Sequence, residues 1–477
     1  MPHDRLARRP KARAAGRRFP GLPIAAMRTA RLEAWHAPDV FDASDDHARQ
    51  HPEQILPIAA TFAASLPPAS LAPITITPSS RDRMTTPISS LAGQTRRPRI
   101  GVDFHTFDGL YQGSRSHLLG LYREAIRRAP EYDFVFFCAE PDKLREADPA
   151  FGMPNAHCVA MPHRSGLVRL GWQLALLQRK HRIDLLHVQY RMPLLPWGAC
   201  AVTIHDTLFE THPQFFTKGF LRVARLAGRR SVKKAALLMT VSEFSRREIA
   251  RLYGVDPMNV TITGNGVSLA RFHPVSAEGG GDRSGADLVR ALGATPGEYL
   301  ITVGRLEPRK NHLNLVRAFA RMAEPRPPLL VVGQREFEHD EAFAEVEKLG
   351  LGKEITFLER VADAELPALV RHARVFVYPS YAEGFGMPVL EALASGVPVV
   401  TSDTTALVEV AAGAALAVSP DDPKAIADAI ERLLHDAALR KRLGAQGLQV
   451  AARHRWDTSA KNLLGAFRRF FAGKLLH

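Results

Sequence analysis

From Arg99 onward, short runs of apolar residues alternate with longer segments that have the length of a helix. The runs are RIGVDF, DFVFFC, DLLHVQ, AVTIH, LLMTVS and NVTIT, then YLITVG, PLLVVG, EITFLE, RVFVYPS, VPVVTS and ALAVS. Strands that alternate with helices form a parallel sheet that is covered on both faces. The pattern therefore predicts an α/β fold of two Rossmann-like, doubly wound domains, 98–275 and 298–455, which face a central cleft. Ligands of such sheets bind beyond the carboxyl ends of the strands, so the loops at those ends are the candidate sites.

The segments outside the two domains lack this alternation. Residues 1–97 are rich in Arg, Ala and Pro and show no sustained periodicity. They are predicted to be a disordered extension, or an over-extended reading frame with Met84 as the true start. The glycine-rich stretch VSAEGGGDRSGA predicts a linker over 276–297. No run of about 18 uninterrupted apolar residues occurs, so we predict no membrane span.

Composition narrows the class of partner and the kinds of site. The 477 residues carry 63 Lys and Arg against 49 Asp and Glu, and the resulting formal charge of +14 favours anionic partners such as nucleotide, phospholipid or nucleic acid. Three widely spaced cysteines argue against a disulfide framework and indicate a reducing compartment. The sequence contains no G-x-x-x-x-G-K-[ST], no H-E-x-x-H and no D-x-D. We therefore expect no P-loop, no bound metal and no cofactor.

The stretch YAEGFGMPVLEALASGVPVV places two glutamates eight positions apart, around a glycine-rich turn. Pro388 suits the first helical position, so we predict a helix over 389–395 and a buried strand over 397–401. Glu383 then precedes a helix N-terminus, which attracts anions, and Glu391 lies on the first helical turn. The spacing alone fits two interpretations equally: a ligand site, or a helix-dipole partner with a surface ion pair.

Two other loops carry charged or histidine side chains at the ends of strands. In YLITVGRLEPRKN, Gly304 ends a strand, and Arg305 and Lys310 follow in the loop, a suitable pair for clamping a diphosphate. In AVTIHDTLF, His205 and Asp206 end a strand. Strand-end cations are often merely solvated, and a single His-Asp pair is more often structural than catalytic, so both interpretations remain open.

Glycine turns mark two further loops. The segment LYQGSRSHLLGL has a turn at Gly113, followed by Ser114 or Ser116 as the N-cap of a helix. It has no G-x-G-x-x-G, so it is not a dinucleotide fingerprint. The dipeptide Asn265-Gly266 predicts a turn at the junction of the two domains.

The segment KGFLRVARLAGRRSVKKAALL predicts a helix with one basic face. Arg222, Arg225, Arg229 and Lys233 recur at helical spacing, with small and apolar residues opposite. We call these four residues the basic stripe. Such a stripe is either an ordinary solvated helix face or a contact with an anionic membrane surface, and the sequence leaves both interpretations open.

Taken together, these motifs resemble the retaining glycosyltransferases of family 4, which have the GT-B fold. The matching segments, in the family's order, are HD, TVSEFSRREI, GNGV, GRLEPRKN, PSYAEGFGMPVLEALASGVPVVTSD and RWDTSAKNLLGAFRRF. The resemblance covers about residues 98–472 and implies that a closing helix, 456–477, returns to the N-terminal domain. When these other motifs are present, the segment with two glutamates is highly specific for the family. This favours the interpretation of Glu383 as part of a ligand site.

The resemblance implies a role for each candidate residue. Glu383 would contact the donor sugar, and Glu391 the nucleotide ribose. Arg305 and Lys310 would hold the diphosphate, while His205 would lie beside the sugar and the acceptor. The other donor contacts would come from glycine turns and a helix start, namely Gly113, Gly304, Gly386, Met387, Val389 and Leu390.

Two departures from the family pattern concern the donor and acceptor contacts. The loop at Gly113 has one glycine where many relatives have two, which affects the expected acceptor contacts. Arg360, in FLERVADAEL, stands where the family usually has glycine, so the nearby backbone that reads the nucleotide base is expected to differ.

The implied activity is transfer of a sugar, with retained anomeric configuration, from a nucleotide-sugar donor to a hydroxyl of a glycan or lipid-linked glycan. GDP-mannose is the leading donor candidate. The enzyme would be metal-independent and cytoplasmic, with peripheral contact at the anionic inner face of the plasma membrane, and we expect no nucleic-acid partner. One rival is a GT-B epimerase or phosphorylase, which would release nucleotide without an acceptor. The other is a non-catalytic nucleic-acid binder, which would show salt-sensitive affinity for DNA or RNA.

Overall fold

The computed structural model describes residues 96–108, 113–162, 165–275, 282–335 and 340–474. The predicted extension over 1–97, including Met84, lies outside these residues except for its last two positions. Of these, Arg96 donates a hydrogen bond to the carboxylate of Asp184 at 2.9 Å. The described chain is therefore attached to the first sheet from its first residue.

Seven parallel strands form the N-terminal sheet. They are β1 Arg99–Asp103, β2 Asp133–Cys138, β3 Ala156–Ala160, β4 Leu185–Gln189, β5 Ala199–Ile204, β6 Leu237–Thr240 and β7 Val260–Ile262. Their order across the sheet is β3-β2-β1-β4-β5-β6-β7. The direction of winding therefore reverses between β1 and β4, and a crevice opens at such a point beyond the carboxyl ends of the strands.

Six parallel strands form the C-terminal sheet. They are β8 Leu300–Val303, β9 Leu329–Val332, β10 Ile355–Leu358, β11 Val375–Tyr378, β12 Val399–Ser402 and β13 Ala415–Val418. Their order is β10-β9-β8-β11-β12-β13, so the winding reverses between β8 and β11. Every residue of β11 and β12 is buried, as expected for strands covered on both faces. These two sheets confirm the predicted α/β fold with two doubly wound units.

Helices cover both faces of each sheet. They are α1 Gly113–Arg128, α2 Pro141–Ala147, α3 Gly166–Val168, α4 Leu174–Lys180, α5 Leu208–Thr211, α6 Lys218–Lys234, α7 Glu243–Tyr253, α8 Arg283–Ala291, α9 His312–Arg321, α10 Glu341–Lys348, α11 Leu366–Arg371, α12 Met387–Ala394, α13 Thr405–Ala411, α14 Pro423–His435, α15 Ala437–Arg453 and α16 Trp456–Lys474. A π-helical turn, Arg169–Gln173, joins α3 to α4. Successive residues of β2 face opposite sides, so Phe134 and Phe136 enter one core while Val135 and Phe137 enter the other.

The last helix, α16, packs on the N-terminal domain. Its Leu463 and Phe467 lie in the same core as Leu118 of α1. Gly266 permits the crossing, because a Cβ at this position would lie 2.3 Å from the backbone nitrogen of Trp456. The predicted Asn265-Gly266 turn is thus a point where two segments of backbone touch, and glycine is needed there for lack of space.

Three details differ from the sequence-based expectations. Within the predicted linker 276–297, residues Arg283–Ala291 form helix α8, whose Val289 is buried in the C-terminal core. Its amphipathic pattern follows directly on the glycine run, which concealed it. Strand β3 was not expected, because it is an edge strand in which only Cys158 is buried. Helix α12 begins two residues earlier than predicted, at Met387, and strand β12 begins two residues later, at Val399.

Candidate active site

The loops after β8 and β11 meet at the point where the C-terminal sheet reverses its winding. The first carries Gly304, Arg305 and Lys310, and the second carries Glu383 and leads into α12. Neighbouring parallel strands end at the same edge of the sheet, so the fold brings these two sequence-distant loops together.

The carboxylate of Glu383 lies at the centre of this cluster and is only 8% exposed. Lys310 donates to its Oε1 at 2.6 Å, and the hydroxyls of Tyr378 and Ser380 donate to the same oxygen at 2.9 and 2.8 Å. Arg309 approaches the other oxygen, Oε2, at 2.9 Å. Both oxygens are therefore held in place by charged or hydroxyl donors, as a buried carboxylate requires.

Electrostatics keep Glu383 ionised in spite of its burial. Burial opposes the charged form, but Arg309 and Lys310 outweigh it and hold the pKa of Glu383 at about 2. Burial and the neighbouring Arg309 lower the pKa of Lys310, while Glu383 acts against that shift. At neutral pH the cluster contains the carboxylates of Glu383 and Glu307 beside the cations Arg305, Arg309 and Lys310, and so has one more positive than negative charge near the start of a helix.

Arg309, Tyr378 and Ser380 contact Glu383 but were not among the sequence-predicted site residues. Arg309 also donates to Glu307 at 2.5 Å and to the carbonyl of Ala382 at 3.1 Å. Burial disfavours its charge, yet Glu307 and Glu383 raise its pKa well above the usual value. The run EPRKN offers two adjacent cations, and only the short helical turn Pro308–Lys310 turns both of them toward Glu383.

Arg305, predicted to clamp a diphosphate with Lys310, lies half-buried at the end of β8. It is one of three cations that lower the pKa of Glu307 against the effect of burial. Gly304 lies beside Lys310, because a Cβ at Gly304 would be 3.6 Å from the Cδ atom of that lysine. The structure thus brings Gly304, Arg305 and Lys310 into one loop around Glu307, with Lys310 directed at Glu383.

The start of helix α12 has an unusual backbone. Gly386 is the N-cap residue with φ of 104°, a left-handed conformation that favours glycine. Pro388 is the second helical residue, and Leu390 donates its N–H to the carbonyl of Gly386 at 3.2 Å. The amides of Met387 and Val389 precede this first intrahelical bond. The side chains of Val389 and Leu390 are fully buried in the core, so only their backbone could meet a ligand.

Glu391 is the fifth residue of α12 and therefore lies on the second turn, a correction to the prediction that it lies on the first. The difference follows from the earlier start of the helix. Its surroundings are the opposite of those of Glu383, because burial raises its pKa to about 8, with only a partial counter-effect from Arg271. In the free protein the side chain of Glu391 is mostly neutral at pH 7.

The N-terminal side of the site is built from hydrogen-bonded histidines. In the ring of His187, in β4, Nε2 lies 2.7 Å from the hydroxyl of Thr203, and Nδ1 lies 2.5 Å from the hydroxyl of Tyr122. The amide nitrogen of Gln189 faces the same Nε2 at 3.4 Å, and its amide oxygen makes a short hydrogen bond with Nε2 of His205. This arrangement places the proton of His205 on Nε2 and leaves Nδ1 as an acceptor.

These histidines are neutral. Burial lowers the pKa of His187 to about 3 and that of His117 to about 4. His117 lies edge-on to His205 at 4.8 Å and contacts the side-chain oxygen of Asn265 at 2.6 Å. Burial also lowers the pKa of His205 well below its usual value, and the two neighbouring histidines add to the shift. Gln189, His117 and Asn265 were not predicted as site residues.

The two sides touch directly at Gly384. A Cβ on this residue would lie 2.1 Å from the carbonyl oxygen of His205, so only glycine fits. Two serines of the N-terminal domain, Ser242 and Ser245, donate to the carbonyl of Gly384 at 2.7 and 3.1 Å. Glu409 of α13 accepts the backbone N–H groups of Glu243 and Phe244 at 2.9 and 2.8 Å, at the start of α7. The loops that carry Glu383 and His205 are therefore adjacent.

Comparison with known proteins gives the family of the chain. Residues 95–271 match the family described as Glycosyltransferase Family 4, and residues 290–450 match Glycosyl transferases group 1. The O-antigen chain mannosyltransferase B of Escherichia coli is 35% identical over 273 residues, which are 56% of this chain and 69% of that protein. The chain belongs to glycosyltransferase family 4. The predicted family and enzyme class are thereby confirmed.

Other relatives of this glycosyltransferase agree with the assignment. A D-inositol 3-phosphate glycosyltransferase of a Nocardioides species is 32% identical over 296 residues, which are 57% of this chain and 63% of that protein. The chain thus spans between 63% and 69% of the length of these two curated relatives. The crystal structure of Anabaena Alr3699/HepE in complex with UDP and glucose superposes with a TM-score of 0.63 over 78% of this chain and 100% of that chain, at 18% identity. This likeness confirms the GT-B fold.

Gly113 is the first residue of α1 in the glycosyltransferase. Ser114 and Ser116 therefore lie inside the first turn and are not N-caps, which corrects the prediction. A Cβ at Gly113 would meet no described atom within 4 Å. The preceding positions, 109–112, lie outside the described residues, so the predicted close approach of this loop to the donor stays a prediction.

The basic stripe lies on α6 and is partly neutralised by the protein itself. Arg225 and Arg229 approach the carboxylate of Glu210 at 3.0 and 3.8 Å. Arg222 and Lys233 are exposed. In the part of the chain that the structure describes, no helix is long and apolar enough to cross a membrane. The same residues contain no cluster of three or more His, Cys, Asp or Glu side chains positioned around a metal.

Proposed function

We propose that this glycosyltransferase moves a hexose from a nucleoside-diphosphate sugar to a hydroxyl of a glycan or lipid-linked glycan, with retention of anomeric configuration. The observation that carries the proposal is the buried carboxylate of Glu383, held between Arg309 and Lys310 at the start of α12 and next to the His205 loop. An ionised carboxylate beside a surplus of cations suits a substrate that separates into an electron-poor sugar and an anionic leaving group.

The leaving diphosphate would meet Arg305, Lys310 and the amides at the start of α12. Charge develops on the diphosphate as its bond to the sugar breaks, and fixed cations and helix N–H groups stabilise that charge. Lys310 contacts Glu383 in the free protein, so donor binding would draw its ammonium group toward the diphosphate. Arg309 would then remain as the counter-ion of Glu383. In this scheme the cations do the electrostatic work that a metal ion does elsewhere.

The sugar would lie between Glu383 and His205. The carboxylate of Glu383 would accept hydrogen bonds from sugar hydroxyls and stabilise positive charge at the anomeric carbon. Neutral His205 offers Nδ1 as an acceptor to a further hydroxyl. We propose that the acceptor oxygen attacks from the face that the diphosphate leaves. Its proton passes to the departing phosphate oxygen, as the bond from C1 to the diphosphate breaks and the bond from C1 to the acceptor forms.

The remaining donor contacts belong to the nucleotide. Glu391 would hold the ribose hydroxyls, and Gly386, Met387, Val389 and Leu390 would supply close backbone around the diphosphate. GDP-mannose is the leading donor candidate, supported by the name of the Escherichia coli relative, a mannosyltransferase. We further propose that transfer occurs at the cytoplasmic face of the plasma membrane, where a lipid-linked acceptor would be reached.

The experiment is calorimetry of the full chain against GDP-mannose and the common UDP-hexoses, followed by transfer assays with synthetic lipid-linked glycan acceptors. We expect one donor to bind at least about tenfold more tightly than the others, a gap of about 1.4 kcal/mol. We expect turnover to require an acceptor and to persist in EDTA. Binding of no donor would contradict the proposal. Loss of activity in EDTA would contradict the metal-free clamp, and acceptor-independent release of nucleotide would favour the epimerase or phosphorylase alternative.

A further inference from the structure

Four hydroxyl side chains between the end of β12 and the start of α13 hold the loop that carries Glu383. Three of them donate to carbonyl groups of that loop at 2.7 to 3.1 Å: Thr401 to Tyr378, Ser402 to Ser380 and Thr404 to Tyr381. The fourth, Thr405, accepts the N–H of Glu383 at 3.2 Å. We call these four side chains the hydroxyl ladder. It holds the loop at four points between residues 378 and 383.

Thr405 differs from the rest of the hydroxyl ladder in its contact and in its backbone. It is the only member that accepts an N–H group, and that group belongs to the residue whose carboxylate lies at the centre of the site. Its φ is 58°, in the left-handed region. Five residues other than glycine have a positive φ in the part of the chain that the structure describes, and Thr405 is the only β-branched one among them. The backbone at Thr405 is therefore strained, because left-handed backbone is least accessible to β-branched residues.

The strained backbone places the hydroxyl of Thr405 on the main chain of Glu383. Among the described residues, the N–H of Glu383 has no other acceptor. The next residue, Ala406, donates its own N–H to the carbonyl of Glu383 at 3.4 Å. Both backbone groups of Glu383 are thus held by two consecutive residues at the start of α13. Strained conformations persist where the surrounding structure imposes them, and they occur most often at active sites.

The backbone contacts matter because one of the contacts of the Glu383 carboxylate changes during the proposed reaction. In the free protein, Lys310 contacts the carboxylate at 2.6 Å. The proposed function has the donor diphosphate draw that lysine away, so the side chain of Glu383 is held by fewer donors when the sugar is bound. The hydroxyl of Thr405 contacts only the main chain, and donor binding leaves this contact in place. A misplaced reacting group lowers the rate even when it remains in the site.

We propose that Thr405 is a positioning residue of the transfer reaction. Its hydroxyl fixes the backbone of Glu383 so that the carboxylate faces the reacting carbon of the donor sugar, and the strained backbone at Thr405 is retained for this contact. The inference deepens the proposed function and rests on it for the role of Glu383. The contact between the two residues can be measured without any substrate.

The first test uses three substitutions in the full chain to separate the hydroxyl from the strain. Thr405→Ser keeps the hydroxyl, Thr405→Ala removes it but keeps a side chain at positive φ, and Thr405→Gly removes both the hydroxyl and the strain. We expect kcat to fall about three- to tenfold in Thr405→Ala and Thr405→Gly, as for the loss of one hydrogen bond, and to stay near the wild-type value in Thr405→Ser. Thr405→Gly should nevertheless melt at a higher temperature than Thr405→Ala. The rate then follows the hydroxyl, and the stability follows φ.

The matched control is Ala412→Gly, at the other end of the same helix. Ala412 is exposed and has a φ of 45°, so the change relieves a left-handed residue without removing a hydroxyl, and kcat should not change. The second test is hydrogen exchange of the amide of Glu383, measured without substrate. Exchange should become faster in Thr405→Ala and Thr405→Gly and should stay slow in Thr405→Ser. Affinity for free nucleotide should not change in any variant, because the proposed nucleotide contacts lie on and before α12.

Three outcomes would overturn the proposal: wild-type kcat in Thr405→Gly, a kcat in Thr405→Ser as low as that in Thr405→Ala, or unchanged exchange at Glu383 in both variants that lack the hydroxyl. A kcat that follows the melting temperature through the series would also overturn it, because Thr405 would then only stabilise the fold. Failure of the wild type to transfer any sugar would instead contradict the proposed function. The exchange measurement would still decide whether Thr405 holds Glu383.

Discussion

The contact between Gly384 and His205 separates two sides of the site that bury polar groups in different ways. On the C-terminal side, opposite charges offset the cost of burial. On the N-terminal side, hydrogen bonds between neutral groups offset it. Glu383 keeps a pKa of about 2 because two cations face it. His187 has a pKa of about 3 because no comparable charge compensates its burial, and its ring is held by neutral partners. At neutral pH both groups are therefore deprotonated, which leaves Glu383 charged and His187 neutral.

The difference fits the parts of the substrate that each side would meet. A diphosphate carries charge before and after transfer, so fixed cations on the C-terminal side are suited to it. Sugar and acceptor hydroxyls are neutral, and a protonated histidine beside an oxocarbenium-like sugar would oppose the developing positive charge. Neutral imidazoles on the N-terminal side avoid that repulsion. The comparison predicts that charge changes on one side and hydrogen-bond changes on the other will affect different kinetic parameters.

The largest expected effect follows from Glu383→Gln. This change keeps the size of the side chain but removes the charge that faces the reacting carbon, so we expect kcat to fall roughly 10²–10³-fold with little change in affinity for free nucleotide. It also removes the carboxylate that Lys310 contacts and leaves Arg309 with Glu307 alone, so the melting temperature should drop. Glu347→Gln, on the exposed face of α10, is the control. Normal turnover combined with early melting would show that Glu383 serves only as a structural charge.

A smaller loss is expected from Arg309→Met. Lys310 still pairs with Glu383 in the free protein, but it is drawn to the diphosphate when the donor binds. Glu383 would then lack a counter-ion, its pKa would rise, and kcat should fall about 10–100-fold. The acid limb of the profile of kcat against pH should move to higher pH. Arg309→Lys should restore part of both. An unchanged pH profile would mean that Arg309 only supports the loop.

The contrast between the two sides also marks what the sequence could predict. Strand ends and glycine turns located Glu383, Lys310 and His205 on the correct loops, because the alternation of strands and helices is strong. The sequence could not show that Arg309 turns inward. Its direction depends on the short helical turn Pro308–Lys310 and on contacts with a second loop, 73 residues further along the chain at Ala382. Charge partners of this kind follow from tertiary geometry and have no local signal.

The sequence did contain a pattern that indicates the hydrogen-bonded histidines of the N-terminal side. His187 and Gln189 are separated by two positions in the strand DLLHVQ and so share one face. Polar residues repeated on one face of a fully buried strand indicate a hydrogen-bonded network, because buried polar groups need partners. Strand β3 and helix α8 were not predicted, and both failures had local causes. The edge position of β3 weakened its apolar pattern, and the glycine run before α8 made a packed helix resemble a linker.

The neutral side can be tested with Gln189→Leu. The change removes the amide that accepts the Nε2 proton of His205, so either ring nitrogen could then carry the proton. We expect kcat to fall by about tenfold or less, with unchanged nucleotide affinity, because the proposed nucleotide contacts lie in the other domain. Nitrogen-15 NMR of the histidines should show a mixture of tautomers in place of one. Gln214→Leu, at an exposed glutamine, is the control. A single unchanged tautomer would show that Gln189 does not position His205.

The smallest effect concerns Glu391, an acidic group of the C-terminal domain that is mostly neutral, like the histidines of the N-terminal side. Its pKa is about 8 in the free protein, so at pH 7 it is mostly protonated. If its carboxylate accepts hydrogen bonds from ribose hydroxyls, the bound form favours the ionised state. Binding at pH 7 must then release a proton, and the affinity for a nucleotide sugar should rise with pH, by at most about tenfold per unit, until it levels off near pH 8.

Calorimetry of the preferred nucleotide sugar, in two buffers with different heats of ionisation, measures this proton directly. A nucleotide sugar has no terminal phosphate that titrates in this range, so the protein supplies the signal. Any uptake of a proton by Lys310, whose pKa is lowered, would give a slope of the opposite sign. In Glu391→Gln the slope should vanish, while the affinity at pH 7 changes only a few-fold, since the amide resembles the neutral carboxyl group. A slope that persists in this variant would assign the proton elsewhere and remove Glu391 from the ribose site.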